Sequence, residues 1–191
     1  PDTVYALIEA EQNSLRRSDD GGRSWRTMNS DNDVAQRPFY YADIRVDAAD
    51  PDRVYNMAST VRVSHDAGRT WQPFIPWSLI HPDHHALWIH PERPELMIDG
   101  NDGGVAVSTD RGATWRFCRA LPLAQFYHLA VDDDVPDHVY GGMQDNGSWR
   151  GPNDVWENGG IRNHHWQEVG FGDGFATIPL PQDSTKGYAM S

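Results

Sequence analysis

Four residues able to ligate a metal or move a proton fall within five positions: His81, Asp83, His84 and His85. Imidazole and carboxylate together suit zinc or another transition ion, so a divalent ion is one reading of the group. In an extended strand His84 and His85 point to opposite faces. That leaves Asp83 to share an ion with His85, or His81 with His84 across the bend at Pro82, and a third ligand would come from Asp102, Asp145 or His128. The other reading is a set of hydrogen-bonded histidines at a loop edge. A second group consists of the carboxylates Asp102, Asp145 and Asp173. Glycoside hydrolysis takes two carboxyls about 5–10 Å apart, which makes Asp102 and Asp145 the catalytic candidates. Asn101-Asp102-Gly103-Gly104 and Asp145-Asn146-Gly147 are equally good tight turns. Gln144, Asn146 and Trp149 surround Asp145 with amide groups and an aromatic surface, the chemistry of sugar binding. Tyr40, Tyr41, Asn101 and His128 complete the set of expected ligand-binding residues, with His84, His85 and Asp173.

These candidates are positioned by a frame that repeats. Ser18-Asp19-Asp20-Gly21-Gly22-Arg23-Ser24-Trp25, Ser64-His65-Asp66-Ala67-Gly68-Arg69-Thr70-Trp71 and Ser108-Thr109-Asp110-Arg111-Gly112-Ala113-Thr114-Trp115 all fit Ser-x-Asp-x-Gly-x-Ser/Thr-Trp. The tryptophans are 46 and 44 residues apart, the length of one four-stranded propeller blade. Val61-Arg62-Val63 leads into the second copy and Val105-Ala106-Val107 into the third, a strand–turn–strand pattern. The aspartates are placed to accept hydrogen bonds from the turn's own backbone, the glycines to supply a positive φ, and the tryptophans to fill the gap between packed sheets. A catalytic or metal role for these three aspartates is the weaker reading, because the turn itself needs them.

A second phrase sits in each repeat: Pro1-Asp2-Thr3-Val4-Tyr5, Pro51-Asp52-Arg53-Val54-Tyr55, Pro94-Glu95-Leu96-Met97-Ile98 and Pro136-Asp137-His138-Val139-Tyr140, with a degenerate form at Pro181-Gln182-Asp183. Asp47, His90 and Asp132 each stand four residues ahead of such a proline. One repeat therefore reads strand 1, proline turn, strand 2, loop, strand 3, Ser-x-Asp turn, strand 4. Up-and-down order puts both turns on one rim, and the 2–3 loops and 4-to-1 links on the other. The polar candidates gather on that second rim, where propellers carry ligand sites. The fourth repeat lacks the Ser-x-Asp turn. A polar, glycine-containing insertion runs from Arg150 to His165 instead, and His165-Trp166-Gln167-Glu168-Val169 replaces strand 4.

The eight-residue signature resembles the Asp-box, or BNR repeat, of sialidase-type β-propellers, in which it is a structural hairpin on the rim opposite the active face. With His84-His85-Ala86-Leu87-Trp88-Ile89 and Gln144-Asp145-Asn146-Gly147, the whole chain resembles glycosyl-hydrolase-like BNR proteins related to the sortilin VPS10 propeller. The resemblance implies an all-β propeller, a secreted or periplasmic location, and a carbohydrate or peptide ligand. A true sialidase would also bring an arginine cluster and a Tyr–Glu pair. Arg37, Arg45, Arg62 and Arg150 are scattered, and no glutamate lies in an obvious loop of the active rim. Two functions result: a binding module presenting carbohydrate or peptide at the loop rim, or a glycoside hydrolase using carboxylates of that rim.

The expected fold is a single partial propeller over 1–191, with repeats at approximately 1–37, 38–80, 81–124 and 125–171 and the start of a fifth at 172–191. The rest of a longer protein, or another copy, is the expected partner. The formal net charge of −12 argues against nucleic acid and anionic membrane surfaces, both of which want clustered Lys and Arg. The single cysteine, Cys118, cannot close an internal disulfide.

Overall fold

The computed structural model describes residues 2–121 and 123–191; Pro1, which opens the first proline phrase, lies outside them. Apart from two short 3-10 turns, every regular element is a strand. The chain divides into two compact units, 1–121 and 122–191.

The first unit holds three antiparallel meanders. The first has three strands, β1 (Val4–Ile8), β2 (Ser14–Ser18) and β3 (Arg26–Asn29). The second has four: β4 (Asp43–Val46), β5 (Val54–Met57), β6 (Val61–Ser64) and β7 (Gln72–Pro73). The third also has four: β8 (His84–Ile89), β9 (Met97–Asn101), β10 (Gly104–Ser108) and β11 (Arg116–Phe117). In the second unit β12 (Phe126–Val131), β13 (His138–Met143), β14 (Ser148–Pro152) and β15 (Gln167–Gly170) form a further four-stranded sheet, followed by the hairpin β16 (Thr177–Leu180) and β17 (Asp183–Ala189). Strands neighbour one another in sequence order in every sheet. This is the blade architecture of an all-β propeller, as the repeat predicts. Strand 4 of the third blade is short: only Arg116–Phe117 are paired as strand.

The Ser-x-Asp turns are self-contained. Asp66 accepts the Thr70 N–H at 2.8 Å and the Thr70 hydroxyl at 2.7 Å, and Ser64 Oγ accepts the Gly68 N–H at 2.8 Å. Asp20 and Asp110 repeat the pattern with Ser24 and Thr114. Gly22, Gly68 and Gly112 all have positive φ. The residue before each does too, including the non-glycines Ala67 (φ 63) and Arg111 (φ 58). Two successive left-handed residues make the tight hairpin whose twist matches its strands. Each turn is also tied to the preceding proline turn: Asp2, Asp52 and Glu95 carbonyls accept the N–H groups of Gly21, Ala67 and Arg111 at 2.8–2.9 Å. Asp137 plays the same part for Asn153 in the repeat that lacks the motif. The rim assignment read from the sequence therefore holds.

Residues 47, 90 and 132 are staples of the proline turns. Their side chains accept backbone N–H groups two residues on, from Ala49, Glu92 and Asp134. Asp47 is buried, and Arg111 meets its charge at 3.6 Å, outside hydrogen-bond range.

Apolar side chains fill the gaps between successive sheets. One cluster joins Leu15 and Met28 to Ala67, Trp71 and Ile44; the other joins Tyr55, Met57, Val61 and Val63 to Leu87, Met97, Ala106 and Trp115. The three motif tryptophans differ. Trp115 is 7% exposed, Trp71 is half-buried and Trp25 is 41% exposed. Trp25 donates its indole N–H to Gly22 O at 2.9 Å, whereas the buried N–H groups of Trp71 and Trp115 have no partner among the described residues. A feature absent from the repeat is the 3-10 turn Asn32–Ala35. It buries Val34 and Ala35, and Asn56 donates to the Val34 carbonyl at 2.7 Å.

Candidate functional site

On the rim away from the Ser-x-Asp turns, the 2–3 loops and 4-to-1 links are bonded to each other. Asp83 N–H and His84 N–H donate to the carbonyls of Ser59 and Ala58 at 3.1 and 3.0 Å, and Asp102 N–H donates to Asp83 O at 3.3 Å. The second unit repeats the device: Gly147 N–H to Gly172 O at 2.8 Å and Gly174 N–H to Met143 O at 2.9 Å.

In the first unit this brings together Arg37, Tyr40, Tyr41, Asp83, His85 and Asp102. Tyr41 lies at the centre. Its ring centroid is 4.4 Å from that of His85 and 5.1 Å from that of Tyr40. The Arg37 guanidinium sits 5.1 and 5.4 Å from the Tyr40 and Tyr41 rings and reaches Asp83 at 3.1 Å. The Tyr41 hydroxyl also donates to Asp83. Burial first, and the carboxylate of Asp83 second, push Tyr41 up to about 12. Burial would raise Asp83, but hydrogen bonds from Tyr41 and Ser59 and the Arg37 charge outweigh it and hold the carboxyl below its ordinary value. His85 Nε2 lies 2.9 Å from Asp102 Oδ1. Phe39 and Tyr40 are exposed beside this group, at 84% and 54%. Both members of the Arg37–Asp83 pair have φ near 60, a conformation that costs non-glycine residues energy and that collects at ligand sites.

The neighbouring histidine goes the other way. A bulge between His84 and Ala86 leaves His85 without a partner in the β8–β9 ladder. His84 is 2% exposed and its Nδ1 lies 2.9 Å from both oxygens of the fully buried Asp99. The opposed directions predicted for the two rings are therefore observed. His81, Asp83, His84 and His85 do not gather their ligand atoms: Asp99 holds His84, Asp102 meets His85, and Arg37 with Tyr41 takes Asp83. His81 bonds the Pro82 carbonyl at 3.1 Å.

The remaining candidates lie in the second unit. Asp173 accepts the Asp145 N–H at 2.9 Å, and Asp145 has φ 56. Asn146 donates to the Gln144 carbonyl at 2.8 Å, and Trp149 donates its indole N–H to Asn146 O at 2.7 Å. His128 is exposed in β12, next to a bulge at Tyr127 whose ring stacks on Phe175 at 4.9 Å. Turn chemistry thus accounts for Asn146 and Trp149.

Two other groups of potential ligands converge within 4.8 Å among the described residues: Glu157, His164 and His165, and Asp132, Asp134 and His138. In the first, His165 Nδ1 accepts the Arg162 N–H at 2.9 Å, so in the neutral ring Nε2 carries the proton and faces Glu157 at 3.5 Å. In the second, buried Asp132 already receives the His138 N–H, the Tyr140 hydroxyl and His138 Nδ1 at 2.8–3.0 Å. Both read as hydrogen-bonded staples. Sequence reasoning missed them because their partners come from an insertion and from a proline turn.

No protein-family model matches the chain, and no curated protein is similar to it. Among solved structures it is similar to the GH74 enzyme of Niastella koreensis, with 14% identity over 88% of this chain and 24% of that one, at TM-score 0.44. The GH74 xyloglucanase of Xanthomonas campestris is 18% identical over 100% of this chain and 27% of its own, also at 0.44. YCF48 bound to a D1 peptide is 10% identical over 95% of this chain and 56% of its own, at 0.43. The chain spans about a quarter of the length of those GH74 enzymes.

Proposed function

We propose that this chain is a ligand-binding propeller module, and that the loop rim of its first unit takes carbohydrate. The observation that carries the reading is the Tyr40–Tyr41–His85 aromatic group ringed by Arg37, Asp83 and Asp102. A sugar ring stacks its C–H face on an aromatic side chain while its hydroxyls bond carboxylate and guanidinium groups. The resemblance of the repeated signature to the Asp-box, and of the chain to VPS10-type propellers, supports the choice of rim. With it go a secreted or periplasmic location, one propeller domain embracing all five repeats, and association with the rest of a longer protein or a second copy.

Titration calorimetry against a panel of oligosaccharides, with cellotetraose as the reference probe and extended peptides as the competing class, tests this. Binding abolished by Tyr40→Ala in a folded protein supports it. Peptide binding without oligosaccharide binding would replace carbohydrate as the ligand. Glycoside hydrolysis is the second reading, favoured by the His85–Asp102 contact at 2.9 Å. Turnover of an aryl glycoside that disappears in Asp102→Asn would establish it.

A further inference from the structure

Beneath the loop rim lies a buried acid that no ligand needs to touch. Asp99 is 0% exposed. Its two oxygens receive His84 Nδ1 at 2.9 Å, and Oδ2 also accepts the Asn101 side-chain N–H at 2.8 Å. An ionised carboxylate with no such donors would be very costly there. Asn101 uses its other end to accept the Gly103 N–H at 2.9 Å. Asn101 pairs with Gly104 across the β9–β10 hairpin, so Asp102 and Gly103 are the two corner residues. The corner has little room to move the other way: a Cβ on Gly103 would lie 2.5 Å from His81 Cβ. Asp102 is therefore presented to His85 by a turn whose geometry is held from below.

We propose that Asp99 is a positioning residue: a buried carboxyl group that, through Asn101, fixes the 101–104 turn and so sets the Asp102–His85 contact of the candidate ligand site. The coupling runs through hydrogen bonds of 2.8–2.9 Å. His84 bonds the same side chain from the neighbouring strand, and its own N–H to Ala58 O ties the adjoining loop to the same centre. A single buried carboxylate thus reaches both walls of the site. The part of the proposal that concerns ligand affinity rests on the carbohydrate reading; the part that concerns the turn does not.

Two variants and two readouts separate these. Asp99→Asn keeps the shape but turns an amide toward one of its donors. Asn101→Asp retains an acceptor for Gly103 while setting two carboxylates against each other, and leaves the His84–Asp99 bond in place if the first variant fails to fold. In either, the Gly103 amide is expected to exchange with solvent at least about tenfold faster, while the Ala106 amide within β10 keeps its protection. Cellotetraose binding is expected to weaken about tenfold or more, although Asp99 itself is fully buried. Unchanged Gly103 exchange in a folded variant overturns the proposal, whatever the sugar result. Faster exchange in a protein whose wild type ignores cellotetraose leaves the positioning role standing and removes the carbohydrate reading. Faster exchange with wild-type cellotetraose affinity overturns the link between turn and site.

Discussion

Truncating the motif tryptophans one at a time asks whether the repeated signature does the same physical work in each repeat. Trp115 and Trp25 occupy the same place in the pattern, yet one is 7% and the other 41% exposed. Trp115→Ala removes about 200 Å² of apolar surface from the core, a transfer loss of about 5 kcal/mol. A cavity against Phe74, whose ring lies 6.0 Å away, adds to the loss. Against that, the indole N–H is buried without a partner, so its removal returns about 1–3 kcal/mol. The net is about 4 kcal/mol. Trp25 belongs to neither core cluster, so water fills the space it leaves and no cavity term arises. Its partial burial and its N–H bond to Gly22 O make Trp25→Ala worth about 2 kcal/mol. Both residues sit in the first unit, so one calorimetric transition reports both. At about 2–4 °C per kcal/mol, Trp115→Ala should melt some 4–8 °C below Trp25→Ala, with Trp71→Ala between them. Equal shifts, or the reverse order, would refute the burial argument.

Two further outcomes follow from the same hairpins. Burial pushes Asp66 up, but hydrogen bonds, from the Thr70 N–H first and then the Thr70 and Ser64 hydroxyls, together outweigh it and hold the carboxyl at about 2. A depressed carboxyl contributes stability above its unfolded value near 4, and that contribution is lost as pH falls from about 4 to about 2. Acid unfolding of Asp66→Asn should therefore lose part of the wild-type pH dependence in that window, and superimposable slopes would dismiss the idea. Gly112→Ala meets both a φ of 83 and a Phe74 ring atom 2.1 Å from the new Cβ, whereas Gly21→Ala meets a φ of 70 in open space. Urea melts should show about 1 kcal/mol lost for Gly21→Ala and at least about twice that for Gly112→Ala; similar losses would mean the close approach carries no strain.

What could be read in the sequence was whatever a short stretch decides for itself. The Ser-x-Asp turns bond their own backbone, so eight residues suffice to define them, and strand order follows from their spacing. Even there, Ala67 and Arg111 in the left-handed region were not legible, because neither residue type announces a positive φ. The candidate site was legible as a rim and in part as residues: Tyr40, Tyr41, His85 and Asp102 come together, while Asn146 and Trp149 each donate a hydrogen bond within their own turn. Arg37 and Asp99 were not legible as parts of it, nor was the 3-10 turn at 32–35 legible as an element of the fold. Their roles depend on partners 15 to 46 positions away, and no local pattern encodes a distance of that kind.

The carbonyls of Asp2, Asp52, Glu95 and Asp137 clasp the following hairpin through the main chain, and at Asp137 the side chain adds a bond from Asn153 Nδ2 at 3.3 Å. A scaffold latched through main-chain atoms along one margin leaves the opposite margin free to vary. On the proposed carbohydrate reading, substitutions among Arg37, Tyr40, His85 and their neighbours would retune what is recognised while the sheets beneath keep their registration, so new specificities would lie within reach of single changes.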